Sequence, residues 1–138
     1  MSEVIQTYVL LLLLGGMVFF PAVVAPAIFS SLDIKTSSVV LRKLFPNYYL
    51  FIIVMSLIAG FLGEMISVVT ASCIFIFVTT VFVRQILMPK INKWRDEELE
   101  GNPDSAIKFS RSHRLTVILN LFQMALIVYS IGSNFKLT

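Results

Sequence analysis

The sequence has one cysteine, one histidine and one tryptophan, and only 14% of its 138 residues are charged. Each scarcity narrows what the chain can do. Cys73 alone gives no disulfide framework and no thiolate pair for zinc. His113 has no carboxylate or thiol beside it in the sequence, so by itself it does not define a zinc or copper site, and no metal is expected. There is no P-loop, no Gly-x-Gly-x-x-Gly and no His-Glu-x-x-His stretch. The serines show no spacing that pairs one with the histidine, and no two aspartates are paired within an apolar run. Catalytic residues are therefore not expected, and the chain reads as a non-enzyme.

What the sequence has in excess is apolar surface. Hydrophobic residues make up 57% of the chain and the mean hydropathy is +0.88, against roughly 45–50% apolar and 25% charged in soluble domains. The length suits one domain, and the composition belongs in a bilayer. The net charge of +3 does not indicate a nucleic-acid partner, because the basic residues sit at the ends of apolar runs and not on one patch.

Four runs are long enough to span the ~30 Å hydrocarbon core: residues 5–31, 44–62, 65–88 and 113–132, with a polar connection over 89–112. The first run lacks the basic start of a signal peptide and is too long for one. Pro21 and Pro26 predict kinks in it, since each lacks an N–H and crowds the carbonyl four residues back. Ser37 or Ser38 is suited to cap a helix leading into the second run, with a kink at Pro46, and Tyr48 and Tyr49 suit the interfacial aromatic belt. Gly63-Glu64 predicts a tight turn into the third run. Gly101-Asn102-Pro103 ends one helix, caps the next and occupies its first position. The fourth helix then starts well before it enters the membrane, and Ser133 to Thr138 reads as a short tail. The expected fold is an all-α, integral-membrane antiparallel four-helix bundle.

Ten of the eleven lysines and arginines flank the first and third connections; only Lys136 lies on the other side. The positive-inside rule then predicts both termini on the non-cytoplasmic side of a bacterial-type inner membrane or a plasma membrane, with residues 89–112 in the cytoplasm. Trp94, Arg111 and Arg114 are placed at the interface, where they can meet lipid headgroups. The acids Asp96, Glu97, Glu98 and Glu100 point around a helix and read as its solvated face, not a converging metal site.

Inside the spans a polar set stands out. Thr80 and Arg84 share one face of the third helix with Cys73 and Phe77. His113, Thr116, Asn120, Gln123 and Ser130 recur at three- and four-residue steps on the fourth. Polar side chains in lipid need partners. Arg84, His113, Asn120, Gln123 and Thr80 are thus the candidate polar or ligand site, with Arg84 the expected partner of His113 and Asn120. The alternatives are interhelical glue or a polar pocket between the first, third and fourth helices. The arginines beside His113 favour its neutral form.

Three stretches resemble the transmembrane-protein-205-like family of four-helix membrane proteins: Gly15-Gly16 to Pro26, Lys43-Leu44-Phe45-Pro46-Asn47-Tyr48-Tyr49, and Phe109-x-x-x-His113 with Asn120 downstream. Arg84 ahead of Pro89 fits the same pattern. The resemblance implies the fold and membrane location, and a link to metal or platinum-drug tolerance through animal members and distant copper-resistance and haem-pathway relatives. Those haem-pathway proteins use an early histidine, which the first helix here lacks.

The expected function is an accessory or interaction protein linked to stress or to metal or drug tolerance. Its partners would be the lipid bilayer and other membrane subunits or further copies of itself. One alternative is a component of a small transporter or channel for a metal, cation or amphiphile. A second is a haem- or redox-linked subunit, in which only a methionine or another chain would complete the ligation. No cofactor is expected from the residues themselves.

Overall fold

The protein is described here by a computed structural model covering residues 1–136. It is all-helical. Four helices are each long and apolar enough to cross a membrane: α1 (Ser2–Ser31), α2 (Ile34–Leu62), α3 (Val68–Leu99) and α4 (Pro103–Lys136). α1 packs on α2 and α4, and α3 packs on the same two helices. The core between them is built from Leu10, Leu13, Met17, Ile52, Ile76 and Ile127, all essentially inaccessible. Leu12, Phe19, Ile74, Val78, Ile118 and Phe122 point outward and stay exposed, as apolar side chains do when lipid is the solvent.

The connections are short, and side chains close them. Asp33 starts α2 by accepting from the Thr36 N–H at 2.6 Å; the Thr36 side chain and then this N–H hold its exposed carboxyl below the usual range. It takes the capping role assigned above to Ser37 or Ser38; the serines fall inside the first turns, where Ser38 bonds back to Ile34. The α2–α3 turn is longer than Gly63-Glu64 alone. Ser67 caps α3 through the Thr70 N–H at 3.0 Å, so the helix begins at Val68 and not near Met65. At the third connection Gly101 has a φ of +98°, a left-handed conformation that costs other residues about 1–2 kcal/mol. The Asn102 side chain then accepts from the N–H groups of Asp104 and Ser105 at 3.0 and 3.2 Å.

The prolines disturb one turn each of α1 and α3 without ending them. Ahead of Pro26 one turn of α1 widens, and the Ala25 N–H reaches back five residues to the Phe20 carbonyl. α3 does the same ahead of Pro89, with Met88 bonding to Val83. A widened turn makes room for the ring and the missing donor that a regular turn would not tolerate. α3 therefore continues to Leu99, and residues 89–112 are mostly two helical arms packed on each other. The Arg42–Asp96 ion pair, 2.7 Å, ties the α3 arm to α2, and Arg95–Glu98, also 2.7 Å, lies within the arm. Glu97 faces Lys93 and the Ser105 hydroxyl. The acidic run thus spreads over several partners and does not converge.

At the opposite end the start of α1 meets the ends of α2 and α4. Gln6, only 2% exposed, donates to the Ala59 carbonyl at 2.8 Å and accepts from Asn134 at 3.1 Å. Asn134 also donates to Thr7 at 3.1 Å. The region read as a tail from Ser133 is thus helical as far as Lys136 and packed at Asn134; Leu137 and Thr138 lie outside the described residues.

Candidate functional site

Beyond its widened turn α1 lies against α2, whereas its contacts with α4 come mainly from the part before that turn. A cavity of about 370 Å³ occupies the space this leaves, at the basic end of the molecule, and all four helices line it. On α4 the lining runs from Phe109 to Met124, roughly 22 Å at 1.5 Å per residue. The cavity is thus a slot along the helices, of a size usual for small-ligand sites.

Aromatic side chains form much of the wall. Phe20 stacks on Tyr48 with centroids 4.5 Å apart, and Phe45 on Tyr49 at 5.9 Å. Phe109 and His113 lie almost parallel, one helical turn apart on α4, at 5.9 Å. The Arg95 guanidinium sits 4.7 Å from the centre of the Phe109 ring, a cation–π arrangement. The slot is graded. At its outer end Arg42, Asn92 and Arg95 supply polar groups; deeper in, the Tyr48 hydroxyl faces the Asn120 amide, 3.1 Å from Nδ2 and 3.3 Å from Oδ1. Past that pair the lining is Leu121 and Met124.

The five candidate residues do not form one cluster. His113 and Asn120 both line the slot. His113 as a residue is exposed, and its ring nitrogens have no hydrogen-bond partner among the described residues. Arg84 serves neither of them: its Nε donates to the Pro46 carbonyl at 3.1 Å, because its place on α3 faces α2 and not α4. Gln123 lies deeper, 3% exposed, and donates to the hydroxyls of Thr79 and Thr80 at 2.8 and 3.1 Å. Thr80 itself donates to the Ile76 carbonyl. Arg111 and Arg114 point away from the bundle and are exposed, while Trp94 is half-buried. Pro21 belongs to the widened turn and lines the slot; Pro26 follows that turn.

Sequence reasoning missed the contribution of α2. Tyr48 and Tyr49 read as belt residues, yet Tyr49 is 7% exposed and Tyr48 pairs with α4. The signal available was their position just after Pro46, two aromatics on consecutive helical positions that cannot both face lipid. In the sequence Arg42 and Arg95 read only as topology charges.

Residues 8–100 match a family described as a domain of unknown function, DUF4149. The chain belongs to that family. The DUF4149 match covers most of α1, all of α2 and α3 through Leu99, and so includes Arg42, Tyr48, Thr80, Arg84 and Arg95; α4, with His113, Asn120 and Gln123, lies beyond it. No curated protein and no solved structure matches the chain.

Proposed function

We propose that this protein is a non-enzymatic accessory protein of a plasma membrane or bacterial-type inner membrane that holds an amphiphile between its helices. The observation that carries this is the graded slot, apolar and aromatic along its walls and polar at one end. Such a gradient matches a molecule that itself lies across the membrane–water interface. A transport path has less support, because most amide and hydroxyl groups inside the spans are engaged in separate pairs. Tyr48–Asn120, Gln123–Thr80 and Gln6–Asn134 are divided by buried apolar residues such as Ile127 and Leu13. The resemblance to the transmembrane-protein-205-like family would fit a role in tolerance to stress, metals or drugs, since amphiphile handling and membrane stress are physically linked.

In this reading the helices form an antiparallel bundle with both termini on the non-cytoplasmic side, and the slot's polar end meets the cytoplasm. The ten-to-one distribution of Lys and Arg supports that orientation. Cysteines introduced at Trp94 and Lys108, in a chain with Cys73 replaced by alanine, should resist an impermeant thiol reagent in intact cells and react after lysis. Labelling before lysis would reverse the topology.

The binding reading is tested by filling the slot. Ala25 lines it from α1 and makes no side-chain hydrogen bond, so Ala25→Trp should occupy the space without removing a polar contact. Mass spectrometry of organic extracts from protein purified in a mild neutral detergent should show an amphiphile held at near-stoichiometric level by the wild type. The variant should lose most of it at unchanged helix content. Equal recovery from both would sink the reading.

A further inference from the structure

The charges at the slot's outer end are of one sign. Arg42 and Arg95 line it, and no aspartate or glutamate does. The carboxylates that pair with them, Asp96 and Glu98, are absent from the lining. They act as backing that fixes each guanidinium in place. Arg42 holds Asp96 with both terminal nitrogens, at 3.2 and 2.7 Å, and also reaches the Asn92 carbonyl at 3.3 Å. Its Nε stays buried with no partner. Arg95 is held by Glu98 at 2.7 Å and by the Ser38 hydroxyl at 3.4 Å, and its second terminal nitrogen has no hydrogen bond among the described residues. Two oriented guanidiniums with donor capacity left over, at the mouth of an apolar slot, form a receptor for an anion attached to a chain.

We propose that the slot takes a single-chain anionic amphiphile, a long-chain carboxylate or phosphate monoester. The head lies between Arg42 and Arg95 and the chain runs inward past Tyr48 and Asn120 toward Met124. This rests on the reading of the slot as an amphiphile site and adds the charge and chain number of its occupant. One chain follows from the shape: the lining covers roughly 22 Å of α4 around a volume of only about 370 Å³, with Phe20, Phe45, Tyr48 and Tyr49 among the lining residues. A negative head is favoured because the mouth presents guanidinium donors and no carboxylate, Asp96 and Glu98 lying behind the arginines and outside the lining.

The test uses the full chain in phosphatidylcholine nanodiscs with radiolabelled palmitate, hexadecanol as a neutral match in chain length, and inorganic phosphate as a competitor. Palmitate should bind at about one per protein, at least about tenfold more tightly than hexadecanol, as charge-assisted hydrogen bonds predict. Phosphate at millimolar concentration should not displace it. Removing each ion pair as a unit, Arg42→Gln with Asp96→Asn and Arg95→Gln with Glu98→Gln, avoids stranding a charge. Each double variant should weaken palmitate about tenfold and leave hexadecanol unchanged, with helix content and elution volume as checks on folding. Equal binding of palmitate and hexadecanol, or palmitate affinity untouched in folded variants, would overturn the anionic head while leaving the amphiphile site standing. Displacement by phosphate alone would show a free-anion site and overturn the chain. If neither amphiphile binds, or if Ala25→Trp leaves both unaffected, the slot reading falls together with this one.

Discussion

Gly63→Ala should lower the stability of the protein in detergent by about 2–4 kcal/mol, the sum of overpacking and two disturbed hydrogen bonds. The backbone there is extended, with φ −91° and ψ 170°, so alanine is not conformationally strained. The cost is one of space. A Cβ at Gly63 would collide with the Gln6 amide nitrogen and come within 2.7 Å of the Thr70 hydroxyl. Gln6 uses that nitrogen to bond the Ala59 carbonyl, and Thr70 uses its hydroxyl to hold the Glu64 carbonyl at 2.7 Å. One methyl therefore disturbs the junction of α1 with α2 and the α2–α3 turn together. Gly15→Ala is the control, since nothing lies within 4 Å of the position its Cβ would take; it should be neutral or slightly stabilising. Denaturation by SDS, followed by circular dichroism, measures both. A Gly63→Ala midpoint matching that of Gly15→Ala would refute the packing described for this junction.

Ending the chain after Gly132 should cost about 1–3 kcal/mol, although the removed segment follows the last apolar run. The deletion takes away Asn134, which is 5% exposed and donates to both Gln6 and Thr7. Hydrogen bonds of this kind between membrane helices contribute on average about 0.6 and at most about 1.7 kcal/mol each. The Gln6 carbonyl oxygen would also be left buried without its donor. Asn134→Leu separates the hydrogen bonds from the rest of the segment and should account for most of the loss. Unfolding of the truncated chain at the wild-type midpoint would show instead that residues after Gly132 do not hold α1 to α4.

The two ends of the molecule differ in how much of them the sequence displays. Helix number, approximate spans and the asymmetry of basic residues follow from one-dimensional patterns, because a bilayer requires long apolar runs and its flanks sort Lys and Arg. The hairpin at Gly101-Asn102-Pro103 is equally local: a left-handed glycine and an asparagine cap act within a few residues of each other. Pro26 announces a disturbed turn, whereas Pro89 reads in the sequence only as the end of the third run. That the chain answers with a widened turn and carries α3 on to Leu99 depends on what the far arm packs against, and here it packs on α4 and pairs with Arg42.

Partner choice was decided by the tertiary structure. Arg84, His113 and Asn120 look alike in a helical projection, since each is a polar residue on an inward face. The rotation of α3 in the bundle turns Arg84 toward the Pro46 carbonyl, and the separation of α1 from α4 leaves Asn120 to Tyr48 and His113 to the slot. Gln6 and Asn134 are 128 positions apart, and no local pattern couples them. The sequence by itself determined a polytopic helical membrane protein with its basic residues at one end, because solvent and backbone chemistry act on each segment separately. The slot and the polar junction exist only once four helices have fixed angles and rotations, since a cavity is a property of the space between segments.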